Sequence, residues 1–186
     1  MAAVDLFSRR CTSGRRLWFV LRMRIRFSGE IVVWFLLAAA FMTAVAEAQV
    51  GAGTKLTPPS FRDQHEATQR IDETVRVVLF TRDMDAGKLV KEALAENGAE
   101  QLGKARAVYV SDISAMPSMV TRLFALPSMR KRGYPILLDR DGSLTRDLPA
   151  QNGKVTLLEL RHLEVVAVKY LDSAQGVRDA LAVTQP

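Results

Sequence analysis

The residues best suited to chemistry lie together between two apolar stretches, in Thr81–Lys88 (TRDMDAGK). Asp83 and Asp85 lie two positions apart and next to Arg82, an arrangement that suits a pair of carboxylates acting as acid and base. Carboxylates at the start of a helix also cap its free amide groups and offset its dipole. Because the apolar pattern that follows predicts a helix beginning here, we favour capping over catalysis.

Other residue types that support catalysis or metal binding are scarce. His65 and His162 stand apart in the chain, and neither has the spacing of a metal-ligand set. Four methionines lie beyond residue 48, at Met84, Met116, Met119 and Met129. They could form a methionine-only copper site, but methionine at helical spacing is typically core filler. Since no glycine-rich phosphate-binding motif follows a predicted strand either, we predict neither a metal nor a nucleotide cofactor.

Hydrophobic periodicity defines the elements that must position these residues. Short apolar runs rich in β-branched residues predict strands at Val75–Thr81, Ala105–Ser111, Ile136–Leu138, Val155–Leu160 and Glu164–Tyr170. Helical spacing predicts helices at Met84–Asn97, Pro117–Arg132 and Ser173–Val183. Pro127 should interrupt the second helix near Leu126, and Asp139–Gly142 predicts a hairpin turn. This order of elements predicts a single α/β domain with a mixed sheet and helices on both faces.

The same order resembles the thioredoxin fold over Phe61–Val183 and implies its three-layer architecture. Lys131–Leu138 (KRGYPILL) resembles the segment in which a cis-proline opens the strand that faces the active site. The resemblance implies a cis bond between Tyr134 and Pro135; a trans proline that starts an edge strand is the alternative.

A second resemblance concerns Phe61–His65 (FRDQH), which is similar to the opening of peroxiredoxin-like and TlpA/SCO-like exported proteins of the thioredoxin superfamily. In those proteins the segment forms an early hairpin. Glu66 stands where they usually have glycine. The match therefore implies a hairpin here, with one departure from the pattern.

The chemistry of this superfamily requires Cys-x-x-Cys at the start of the first helix, where the helix dipole stabilises the thiolate. The resemblance places Met84 and Gly87 at the two cysteine positions, and a thioether cannot ionise or form a disulfide. It therefore implies a redox-inactive protein that keeps the substrate-facing groove of the fold as a binding surface. The residues assigned to this groove are Thr81, Asp83, Met84, Asp85, Gly87, Tyr134 and Pro135.

The N-terminal part of the chain has the features of a signal peptide. Ile31–Ala46 is an uncharged apolar run, seven arginines precede it, and Ala46-Glu47-Ala48 has the small-residue pattern of a cleavage site. We predict cleavage after Ala48 and a periplasmic protein, with translation starting at Met1 or Met23. An uncleaved inner-membrane anchor is the alternative, although a spanning helix needs about 20 apolar residues.

Cleavage divides the chain into residues 1–48, a flexible arm at 49–60 and a folded domain at 61–186. Seven of the 26 basic and three of the 20 acidic residues lie in 1–48, which leaves 19 basic and 17 acidic residues. This near neutrality gives no indication of nucleic-acid binding. The only cysteine, Cys11, also lies in the leader, so thiol chemistry is excluded from the rest of the chain.

Three hypotheses about function follow. The first is a thioredoxin-like module that binds a periplasmic protein or peptide. The second is a cofactor-dependent oxidoreductase, because some chains that resemble this one are described as flavin-containing dehydrogenases. No residue pattern here indicates a flavin pocket. The third is a structural assembly partner that binds no small ligand.

Overall fold

The computed structural model describes residues 50–57 and 59–184. The predicted leader, its cleavage site and Cys11 lie outside the described residues. The strands are β1 (Ser60–Asp63), β2 (Thr68–Arg70), β3 (Val77–Thr81), β4 (Ala107–Asp112), β5 (Leu137–Asp139), β6 (Val155–Arg161) and β7 (Glu164–Leu171). The helices are α1 (Met84–Ala93), α2 (Gly98–Lys104), α3 (Ser118–Val120), α4 (Leu126–Arg130) and α5 (Ala174–Val183), with a π-helical turn at Thr121–Ala125 between α3 and α4.

The strands form one mixed sheet in the order β2-β1-β5-β4-β3-β6-β7. Every residue of β3 (VVLFT) is buried, as expected for a central strand covered on both faces. β3 runs parallel to β4 and antiparallel to β6. The predicted strand–helix–strand unit and the mixed sheet are therefore confirmed.

Alternate residues of β3 point into two separate hydrophobic clusters. Val77 and Leu79 join a cluster that contains buried residues of α1, α2, α4 and α5. Val78 and Phe80 point to the opposite face and join a cluster of strand side chains. Partly buried residues of the N-terminal segment and of the loop after β5 cover this second face, where helices were also expected.

The segment expected to be a flexible arm packs against the domain over the residues that the structure describes. Gly53 and Leu56 donate backbone hydrogen bonds to the carbonyls of Val165 and Leu163, at 2.7 Å each. Val50 and Leu56 also pack against the second cluster. Apolar side chains at these positions provide the contact that a glycine- and proline-rich composition did not predict.

The helix predicted at Met84–Asn97 is shorter in the structure than predicted. α1 ends at Ala93, and a second helix, α2, begins at Gly98. A Cβ atom added to Gly98 would lie 2.6 Å from Cδ1 of Tyr134. The close approach of the Tyr134 ring therefore requires glycine at the start of α2. This contact joins residues far apart in the chain, so local periodicity could not predict it.

Pro127 interrupts the helix at 118–130 as predicted. The chain stays helical there, but the hydrogen-bond pattern changes from α-helical to π-helical before the proline. Pro127 lies in the first turn of α4, where its missing amide donor costs nothing. Directly before it, the amide of Leu126 donates to the carbonyl of Thr121, five residues back. The resulting π-helical turn carries Leu123 and Phe124, both largely exposed.

The turn at Asp139–Gly142 does not form the predicted hairpin. β5 pairs with β1 and β4, whereas the next strand, β6, pairs with β3 and β7. The buried Asp139 carboxylate accepts hydrogen bonds from the amides of Gly142 and Thr145, at 3.0 and 2.8 Å. It therefore anchors the loop that passes β4 and β3 and connects β5 to β6.

The early hairpin implied by Phe61–His65 is present as β1 and β2. Glu66, which replaces the usual glycine, has a φ of 69° in the left-handed region that favours glycine. Its carboxylate pairs with Arg140 and Arg62, which lowers its pKa. The turn geometry explains why glycine is usual at this position.

Two glycines of α2 provide a matched test of the Gly98–Tyr134 contact. Gly98→Ala should destabilise the protein by about 1–3 kcal/mol because the new methyl group overlaps the ring. Gly103→Ala, where an added Cβ meets nothing within 4 Å, should be neutral or stabilising by up to about 1 kcal/mol. Denaturant unfolding of both variants measures the difference; equal effects would argue against the close contact.

Candidate functional site

The first turn of α1 is the position where the resemblance places redox chemistry, and here it is capped by a carboxylate. Asp83 is the N-cap residue, and its Oδ1 accepts a hydrogen bond from the amide of Ala86 at 2.8 Å. Its Oδ2 accepts from the amide of Gly153 at 2.9 Å. Asp85 is exposed and pairs with Lys88 at 2.7 Å, which raises the lysine pKa. Both carboxylates have structural partners, in agreement with capping.

Arg82 also makes structural contacts. Its Nη2 donates to the carbonyl of Thr145 at 2.7 Å and to that of Leu148 at 3.3 Å. Its Nε lies 3.4 Å from a carboxylate oxygen of the buried Asp112, and its guanidinium stacks 5.3 Å from the centre of the Phe80 ring. Arg82 thus links the end of β3 to β4 and to the β5–β6 loop.

Three buried hydroxyl groups lie at the ends of β3 and β4, close to α1. Thr81 Oγ1 is 3.0 Å from the Tyr109 hydroxyl and 3.4 Å from Ser111 Oγ. Burial raises the pKa of Tyr109, while its hydrogen bonds oppose the rise. Neither His65 nor His162 lines the cavities beside these hydroxyls. The cluster is therefore suited to fixing the ends of the two strands.

The segment containing Tyr134 and Pro135 does not face the start of α1, which corrects the alignment drawn from sequence. The strand that follows it, β5, is separated from β3 by β4. The strand antiparallel to β3 is β6, and the residue that reaches Asp83 just before β6 is Gly153, at a φ of 71°. A cis bond at Pro135 remains a prediction.

Gln64 holds the Tyr134–Pro135 segment in place. Its side-chain amide donates to the carbonyl of Tyr134 and its Oε1 accepts from the amide of Ile136, both at 2.8 Å. Because the Gln64 side chain is fully buried, it pairs this backbone much as a neighbouring strand would. The sequence motif Phe61–His65 contained this residue but gave no indication of its partner.

A groove does run between α1 and the helix at 118–130. We call its first part the apolar groove: a cavity of about 530 Å³ lined mainly by Met84, Met116, Pro117, Val120 and Phe124. Met84 is 66% exposed and Phe124 is 69% exposed, so large apolar surfaces face solvent here. Such a concentration is typical of an interaction site.

The apolar groove continues into two further cavities. A middle cavity of about 210 Å³ shares Met84 and Met116 with it and reaches Gly87 and Tyr109. A third cavity of about 600 Å³ shares Arg132 with the middle one. We call the third the basic cavity, because Lys91, Lys131 and Arg132 line it together with Tyr134.

The predicted site residues divide along this groove. Asp83, Met84 and Gly87 line its first two cavities, and Tyr134 lines the basic cavity. The remaining three, Thr81, Asp85 and Pro135, line none of the cavities. Sequence reasoning missed Val120 and Phe124, because their helical spacing was used only to predict a helix at Pro117–Arg132. Their nearness to Pro127, which widens the helix into a π-turn, was the available signal.

Among the described residues, no group of three or more metal-ligating side chains is found. Of the four methionines, Met129 is buried in the first hydrophobic cluster, and the partly buried Met116 packs against that cluster. Met84 and Met119 are exposed. None of the described helices is long and apolar enough to cross a membrane.

Comparison with solved structures identifies the class of fold. The chain is similar to peroxidoxin BcpB from Mycobacterium tuberculosis, with a TM-score of 0.51, 18% identity and coverage of 73% of this chain and 97% of that chain. It is also similar to a putative thiol:disulfide interchange protein DsbE from Chlorobium tepidum, with a TM-score of 0.51, 9% identity and coverage of 73% and 96%. No protein family model and no curated protein match the chain. The protein has a thioredoxin-like α/β fold.

Removing the helix cap tests the structural role of Asp83. Asp83→Ala should lower the free energy of unfolding by about 1–2 kcal/mol, because it leaves the Ala86 amide without its partner. It also frees the amide of Gly153. Asp85→Ala removes only an exposed ion pair and should change stability little. Thermal unfolding separates the two; a larger loss for Asp85→Ala would contradict the assignment.

Cysteines introduced at Met84 and Gly87 test whether the start of α1 can hold the disulfide that the resemblance places there. In a Cys11→Ser background, Met84→Cys with Gly87→Cys should form a disulfide that dithiothreitol reduces, since residues three apart in one helical turn lie within disulfide range. A Cβ at Gly87 meets no atom closer than 3.9 Å. Thiol titration after mild oxidation measures the bond. Met84→Cys with Gly103→Cys, on another helix, is the control that should keep two free thiols.

Proposed function

We propose that this chain is an exported, periplasmic thioredoxin-fold protein that performs no thiol chemistry and binds a segment of a partner protein in the apolar groove. The observation that carries the proposal is the exposure of Met84 and Phe124 on the two walls of one cavity. Asp83 and Met84, two of the residues that the resemblance assigns to the substrate-facing groove, line this cavity, while the reactive cysteines are absent. No cofactor is required for such a role.

The partner should present an extended segment with one large apolar side chain. The apolar groove, at about 530 Å³, is large enough to admit an aromatic or long aliphatic side chain. Unbranched methionines at Met84 and Met116 adapt to different shapes, as at other promiscuous binding surfaces. Binding would bury the Phe124 ring, and buried aromatic residues dominate the energy of interfaces.

Selection from a phage-displayed library of random peptides provides probes for this groove. Peptides bound by the wild-type protein should lose about tenfold or more in affinity on Phe124→Ser, measured by fluorescence anisotropy, because the ring no longer covers the ligand. Val166→Ser changes a comparably exposed apolar side chain on β7, away from the groove, and should leave affinity unchanged. Equal affinity for the two variants would argue against the groove as the site.

A visible absorption spectrum of the protein purified from the periplasm addresses the competing functions. We expect a colourless protein. A flavin or copper band would overturn the proposal in favour of a cofactor-dependent oxidoreductase. A stable complex that survives Phe124→Ser would instead favour a structural assembly partner. Recovery of the protein only from the cytoplasm would contradict the proposed export.

A further inference from the structure

We propose that the segment bound in the groove carries an acidic residue about three positions from its large apolar residue, and that the basic cavity binds this carboxylate. This inference rests on the proposed function and adds the charge and spacing of the ligand. The reason is that the apolar groove and the basic cavity are joined by the middle cavity, so one extended segment can occupy both.

The basic cavity has an excess of positive charge. Lys91, Lys131 and Arg132 line it, and none of the three forms an ion pair with a described residue. Two acids, Glu96 and Glu100, also line it. Glu100 is already paired with Lys104 at 2.7 Å, which lowers its pKa. Only the Glu96 carboxylate is left to offset the three cations.

The chemistry of the cavity suits a carboxylate. The Arg132 guanidinium is planar and can donate two parallel hydrogen bonds to one carboxylate. The Lys91 ammonium lies on the α1 side of the cavity and supplies a second charge. Tyr134 also lines the cavity, and its buried hydroxyl forms no hydrogen bond of normal geometry among the described residues. Burial raises the pKa of Tyr134, and the nearby Arg132 opposes the rise.

The spacing follows from helix geometry. Met84 and Lys91 lie on the same helix, and seven residues at 1.5 Å each separate them by roughly 10 Å along its axis. An extended chain advances about 3.3 Å per residue, so about three residues span this distance. The reach of the Lys91 and Arg132 side chains allows about two to four residues. The expected ligand therefore has a large apolar residue and an Asp or Glu about three positions away.

Charge variants test this inference separately from the groove itself. Lys91→Gln with Arg132→Gln should weaken binding of the selected peptides about tenfold or more, whereas Arg161→Gln, an exposed arginine on β6, should not. Raising the salt concentration from about 0.05 to about 0.5 M should weaken wild-type binding and leave the double variant nearly unchanged. Circular dichroism should show that the double variant remains folded. If it does not, Lys91→Gln alone, on the exposed face of α1, serves as the test.

A charge swap tests whether the acidic residue of the peptide lies in the basic cavity. Lys91→Glu with Arg132→Glu should prefer peptides in which Lys replaces the acidic residue. Selected peptides that need Phe124 but show no acidic residue at this spacing would overturn the inference and leave the proposed function intact. If peptide binding is insensitive to Phe124→Ser, or if no peptide is selected, both are overturned.

Discussion

The Asp83 carboxylate is the interaction on which this end of the molecule depends. One of its oxygens caps α1 through Ala86 and the other holds Gly153 just before β6, so it joins two elements that both border β3. In a thiol-active relative, the resemblance implies a thiolate stabilised by the same helix start. In this protein the Asp83 carboxylate accepts hydrogen bonds from the amides of Ala86 and Gly153. The neighbouring Met84 side chain is exposed to solvent.

Further hydrogen bonds hold the start of α1 in place without a thiol. Arg82 follows the last residue of β3 and reaches the carbonyls of Thr145 and Leu148, while Asp139 orders the same loop from β5. Hydrogen bonds from Arg82 and Asp139 thus connect the ends of β3 and β5 to the β5–β6 loop. Stability comes from the two hydrophobic clusters and this set of hydrogen bonds, since no disulfide is available to the chain beyond Cys11.

Much of the fold could be predicted from sequence, because strands such as β3 and β6 are short, mainly apolar runs that the local pattern identifies. Contacts between distant residues could not. The start of α2 depends on Gly98, whose lack of a side chain leaves room for the Tyr134 ring, and the position of β5 depends on pairing with β1. The capping role of Asp83 was predictable from its place before the helix, but its second partner, Gly153, was not.

Packing of the core does not explain the exposed apolar side chains beside the groove. In the helix at 118–130, Leu126 and Met129 already provide the buried face that holds it to the sheet. Leu123 and Phe124 add apolar surface on the solvent side, where it contributes nothing to the core. Exposed aromatic surface beside a cavity favours association, and the nearby cations Lys91 and Arg132 limit which partners gain from it. In the proposed function, the apolar surface of the groove supplies affinity for the partner and these charges supply selectivity.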